Sequence, residues 1–208
     1  MSTHATLREE AAPQASPPAV AAIADPAPLG LAAFALTTFV LSSVNAGLLP
    51  ATVVGTVFGL ALFYGGIVQV FAGLWEFTKG NTFGSTAFCS YGAFWMSYWY
   101  LAGGNTDLSK AGADAKTGVG FFLLGWTIFT IYMTIAAWRT TSALFGVFVL
   151  LSLTFLALTL GHLGAGDAVE RIGGWLGLLT ALGAWYCAAA GVLKATWGRT
   201  VLEVGPRS

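Results

Sequence analysis

Six apolar runs, each about as long as a helix needs to cross a bilayer core of ~30 Å, divide this chain of 208 residues. They are Pro28–Leu49, Ala51–Phe77, Phe83–Gly103, Val119–Trp138, Ser142–Gly161 and Ile172–Thr196. Charged residues make up 9% of the chain, against about a quarter in soluble proteins, and they gather in the gaps between the runs. No run shows the alternation over ~10 residues that a membrane strand requires. The sequence therefore predicts an all-α integral membrane protein with six transmembrane helices, one bundle per protomer. Residues 1–24 are rich in Ala and Pro, with Pro13, Pro17 and Pro18 breaking any apolar core, and read as a disordered tail rather than a signal peptide. Residues 25–197 form the transmembrane domain and 198–208 a C-terminal tail.

Lys and Arg set the orientation. Arg8, Lys79, Arg139, Lys194, Arg199 and Arg207 fall on one side of the six runs, and Lys110, Lys116 and Arg171 on the other. The positive-inside rule then places both termini in the cytoplasm. The formal net charge is zero, which gives no reason to expect nucleic acid as a partner. Cys89 and Cys187 lie inside apolar runs and read as buried thiols. No Cys/His spacing suggests a metal, and no cofactor motif is present. HExxH, GxSxG and paired carboxylates on a membrane face are all missing, so an enzyme is not expected.

The second and third runs form a hairpin around Glu76-Phe77-Thr78-Lys79-Gly80-Asn81-Thr82. Gly80 can close the first helix, and Asn81 or Thr82 can cap the next. Gly65, Gly66, Gly73, Gly84 and Gly92 within the runs suit close helix contact in lipid, as does GxxxG spacing at Gly55/Gly59 and Gly173/Gly177. Gly65-Gly66 reads either as packing or as a local helix break that exposes backbone groups.

Polar residues inside lipid are costly unless they meet partners or water. Phe34, Thr37, Thr38, Leu41 and Asn45 share one stripe of the first helix. Their hydroxyls either bond back to the helix or line a pathway. Gln69, Gly73 and Glu76 share a face of the second helix, and Glu76 either pairs with Lys79 or couples protons. Tyr91, mid-membrane on the third helix, needs a hydrogen-bond partner. His162 ends the fifth helix as an interfacial residue or a proton relay. Asp25-Pro26 reads as an N-cap followed by proline. A shift of 117 residues places Leu36-Thr37 on Leu153-Thr154, Leu41 on Leu158, Asn45 on His162 and Gly47 on Gly164, a faint internal repeat relating helices one and five.

FYGG, Gln69, the Ala-Gly pair at Ala72-Gly73, Glu76, KGNTFG, TAF and SYG follow one another in order, after DPAPLGL at Asp25–Leu31. This series resembles the signature of the acetate uptake transporter family, which includes the succinate–acetate permeases. The resemblance implies six-helix protomers assembled as a homohexamer, each with its own pathway, in the inner or plasma membrane. It implies a constriction of Phe34 (in LGLAAF), Tyr91 (in SYG) and Leu153 (in SLT). Thr37, Thr38, Asn45 and Gln69 are the expected polar lining, and Asp25, Glu76 and His162 the candidates for proton coupling. The implied substrates are acetate and related short carboxylates, among them propionate, lactate or succinate, carried with protons or passed as through a channel. A passive channel for small solutes and a non-transporting scaffold are the rival expectations. Two positions depart from the family pattern: Asp25 replaces Asn, and His162 stands where an amide is expected.

Overall fold

The computed structural model describes residues 23–112 and 114–205. The expected N-terminal tail, Arg8 and Arg207 lie outside these residues, apart from the tail's last two positions. Six long helices follow in chain order: α1 Ala27–Asn45, α2 Ala51–Thr78, α3 Thr82–Ala102, α4 Asp114–Ala137, α5 Ser142–Ala165 and α6 Asp167–Trp197. Five are long and apolar enough to cross a membrane. The remaining one, α3, has 21 residues and is diluted by Ser, Thr, Tyr and Trp. Large side chains such as Phe63, Phe121 and Ile135 project from the bundle, as lipid-facing surface requires.

Helix α6 begins at Asp167, a turn and more before its apolar run. That first turn carries Asp167, Glu170 and Arg171, so apolarity alone starts it late. Helix α2 is not uniform in winding, with a tighter 3-10 turn at Ala51–Val53 and wider π-type turns over Leu60–Val68. Gly65-Gly66 is therefore packed helix and not a break: a Cβ at Gly65 would lie 2.6 Å from Thr37 Oγ1 of α1.

Small residues set the other contacts. A Cβ at Gly92 would meet the Gly66 carbonyl of α2 at 3.0 Å. One at Gly174 would collide with the α1 backbone at Asn45 and Ala46. Of the two GxxxG pairs, Gly173/Gly177 packs against Leu158 and Ser42, whereas Gly55/Gly59 faces open space. Hydroxyl pairs link the later helices: Thr127 to Thr159 at 2.9 Å, Thr134 to Ser152 at 2.8 Å and Thr154 to Thr180 at 3.4 Å. The C-terminal tail folds back on the bundle. Ser142 and Ala143 N–H, orphan donors at the start of α5, donate to the Gly205 and Val204 carbonyls at 2.7 and 3.0 Å.

Candidate substrate pathway

The hairpin between α2 and α3 builds the polar end of a candidate pathway. Gly80 has φ +75°, a conformation that favours glycine. It closes α2 with two bonds: Gly80 N–H to the Phe77 carbonyl at 3.0 Å and Asn81 N–H to the Glu76 carbonyl at 2.9 Å. Asn81 then caps α3, its Oδ1 accepting from Gly84 N–H at 3.0 Å. The same side chain donates from Nδ2 to Glu76 Oε2 at 2.8 Å.

Glu76 is fully buried and faces inward, on the same side of α2 as Gln69. The alternative of an ion pair with Lys79 is not what forms. Lys79 sits just beyond the last turn and pairs with Asp25 at 2.6 Å. Asp25 also accepts from Ala27 N–H at 3.3 Å, the capping contact expected of it.

Glu76, Gln69 and Asn81 line a cavity with Leu31, Phe34, Tyr91, Leu144, Phe148 and Leu151. Its volume is about 70 Å³, counted as space open to the centre of a water molecule. One water needs roughly 10–15 Å³ by that measure, so the cavity suits a few waters or a molecule of several heavy atoms. Both amide atoms of Gln69 and Oε1 of Glu76 are buried without a protein partner. No Lys or Arg is among its lining residues.

Phe34 and Tyr91 meet at the inner end, ring centroids 5.8 Å apart. Tyr91 is 3% exposed, and its hydroxyl lies 3.0 Å from Thr130 Oγ1 on α4. Leu153 is not brought to this pair. It is 44% exposed and lines neither cavity, while Leu151, 4% exposed, lines the first cavity with the two rings. At 3.6 residues per turn, two positions turn a side chain by about 200°. The internal repeat points to Leu151 at this level. The 117-residue shift places Ala27 on Leu144, Leu31 on Phe148 and Phe34 on Leu151, and all six line the cavity.

A second, larger cavity of about 280 Å³ lies towards the opposite ends of α1, α3 and α5. Leu41, Asn45, Phe94, Tyr98, Leu158 and His162 line it. The repeat pairs Leu41 with Leu158 and Asn45 with His162, so both members of each pair share one chamber. His162 Nδ1 lies 3.0 Å from the Leu158 carbonyl and 3.6 Å from Glu170 Oε1, which also meets Lys116 at 2.8 Å. Thr37 and Thr38 are buried but line neither cavity. Thr37 donates to the Ala33 carbonyl at 2.9 Å, the back-bonding alternative, and Thr38 Oγ1 has no partner.

Two chambers thus lie along α1, α3 and α5, with Phe34, Tyr91 and Leu151 in the wall of the first. Both chambers carry polar groups, and among the described residues no Lys or Arg lines either. An isolated carboxylate in hydrocarbon would cost tens of kcal/mol by a Born estimate, so any charged solute here depends on neutral donors, water or a proton.

The chain is similar to known proteins over most of its length. Accumulation of dyads protein 2 of Saccharomyces cerevisiae is 48% identical over 186 residues, covering 86% of this chain and 65% of that one. The succinate-acetate/proton symporter SatP of Escherichia coli K12 is 39% identical over 186 residues, covering 88% and 96%. The chain spans about two thirds of the length of its fungal relatives and nearly all of the bacterial one. The solved structure of the bacterial acetate channel SatP matches with a TM-score of 0.81 at 38% identity, covering 88% of this chain and all of that one. The profile of the GPR1/FUN34/yaaH family matches residues 8–206, and the chain is a multi-pass membrane protein belonging to that family.

Proposed function

We propose that this protein moves acetate and related short carboxylates across a membrane. The pathway joins the cavity beside Gln69, Glu76 and Asn81 to the chamber of Asn45 and His162 through the Phe34–Tyr91–Leu151 neck. The observation that carries this reading is the pair of cavities along α1, α3 and α5, in a fold shared with an acetate channel. Neutral donors suit weak binding and rapid passage, which conduction requires. Propionate, lactate and succinate are the other candidate substrates, and the name of the Escherichia coli relative supports proton-coupled uptake. Glu76 and His162 are the titratable side chains within the chambers that such coupling would use, with Asp25 at the outer rim of the first. The reading includes a homohexamer in the inner or plasma membrane, with both termini in the cytoplasm.

A passive channel is the second reading, favoured by the description of the solved relative as a channel. Labelled-acetate uptake into proteoliposomes of purified protein, with an imposed pH gradient, separates the two. Accumulation above equilibrium that an uncoupler abolishes supports coupled transport. Rapid equilibration without accumulation supports the channel. No uptake above protein-free vesicles sinks both and leaves a non-transporting scaffold.

A further inference from the structure

Among the described residues, Glu76 is the one charged residue lining the first cavity, and its two oxygens have different surroundings. Oε2 accepts from Asn81 Nδ2 at 2.8 Å. The Asn81 amide cannot reverse without losing its cap, because Oδ1 accepts from Gly84 N–H. An amide NH₂ only donates, so Oε2 stays an acceptor whatever the protonation state of the carboxyl. A proton on Glu76 therefore resides on Oε1, which is buried and has no protein partner. Gln69, 1% exposed, offers an unpartnered donor and an unpartnered acceptor in the same cavity.

The charged groups near this carboxyl do not supply a counter-ion to a solute in the cavity. Lys79, beyond the end of α2, is 2.6 Å from Asp25, just ahead of α1. Helix α3 contributes Asn81, Phe83, Gly84, Ala87, Phe88 and Tyr91, and α5 contributes Leu144, Phe148 and Leu151, none of them charged at neutral pH. Among the described residues, a substrate carboxylate arriving here meets a second carboxyl and no cation. Two carboxylates in contact cannot both be ionised.

We infer that Glu76 and the substrate carboxylate share a single proton in this cavity, so that the unit admitted is one monocarboxylate and one proton. The inference rests on the transport reading above and deepens it. The carboxylate and a proton from water enter together, and the proton is held between Glu76 Oε1 and a substrate oxygen. When the substrate passes the neck as the neutral acid, it takes the proton with it. Glu76 is left as the carboxylate it was, and the acid dissociates in water beyond. The net movement carries no charge. Asn81 is the positioning residue that keeps Oε1 turned to the cavity.

The test uses purified full-length protein in proteoliposomes, labelled acetate, and either a pH gradient or a potassium–valinomycin potential. Protein-free vesicles correct for leak of acetic acid through lipid. Wild-type flux should follow the pH gradient and ignore the potential. In Glu76→Gln the replacement amide can accept from Asn81 and donate into the cavity, so acetate binds without a proton. Its flux should lose the pH-gradient response and gain a voltage response. One uncompensated charge at ~100 mV corresponds to up to about 50-fold in accumulation. Asn81→Ala, which frees Oε2 as well, should weaken the pH-gradient response relative to total acetate flux.

A folded Glu76→Gln variant that stays electroneutral overturns the inference, as does one that carries no acetate. If the variant does not assemble, the wild type decides, since a voltage response in wild-type flux is incompatible with a shared proton. A wild type inert towards acetate under both gradients removes the transport reading itself, an outcome distinct from either.

Discussion

At the scale of single residues, the neck offers a discriminating comparison. Leu151 is buried against the cavity, and Leu153, two positions on, is 44% exposed. Leu151→Ala should widen the neck and raise propionate flux relative to acetate by about tenfold, since a methylene in an apolar pocket is worth ~1–3 kcal/mol of discrimination. Leu153→Ala should leave the ratio within about twofold. Both are read as flux ratios in proteoliposomes, and equal effects would remove Leu151 from the neck. Tyr91→Phe probes the other wall. It deletes the hydroxyl at 3.0 Å from Thr130, yet Thr130 still donates to the Trp126 carbonyl at 2.7 Å, so no buried donor is stranded. The cost should be about 0.5–1.5 kcal/mol, seen as a small drop in melting temperature in detergent, with the ring kept against Phe34.

At the scale of helices, contact between α1 and α6 rests on the missing side chain at Gly174, which lies against the backbone of Asn45 and Ala46. Gly174→Val has nowhere to place its branches unless the helices part. It should cost at least ~1–3 kcal/mol, measured by thermal unfolding in detergent. Gly55→Val, facing open space, should cost far less, and similar losses in the two would dismiss the packing argument. The same contrast shows what was legible in the sequence. Apolar runs located all six helices, and the Gly80-Asn81 turn was readable because its αL closure and its cap are local chemistry. The choice between Leu151 and Leu153 was not readable from periodicity. The mid-helix hydroxyls of α5, on Ser152, Thr154 and Thr159, pair with α4 and α6 and not with the cavity, so none of them marks which leucine points inwards. The partner of Lys79 was hidden for a different reason. Glu76 is three residues away in sequence, but Asp25, 54 residues away, is the carboxylate on its side of the helix end.

For the whole molecule, the direction of the pathway depends on which end of the bundle lies in the cytoplasm. Lys79, Arg139, Lys194 and Arg199 lie at the end that holds Asp25 and the first cavity, and Lys110, Lys116 and Arg171 lie at the other. With six crossings, both ends of the domain fall on one side, and the excess of Lys and Arg is the argument for the proposal that this side is cytoplasmic. The Glu76 cavity would then open inwards and the His162 chamber outwards. Single cysteines test this in a background where Cys89 and Cys187 are replaced by serine. Lys110→Cys, whose native side chain is 83% exposed, should react with a membrane-impermeant thiol reagent on intact cells. Arg139→Cys, also exposed, should react only after the membrane is opened. The reverse pattern would invert the protein. During uptake, substrate would then meet the Glu76 cavity first, and the proton would be picked up outside rather than released from that cavity to the cytoplasm. The labelling result therefore decides whether an acid pH outside loads the Glu76 cavity directly or reaches it only through the neck.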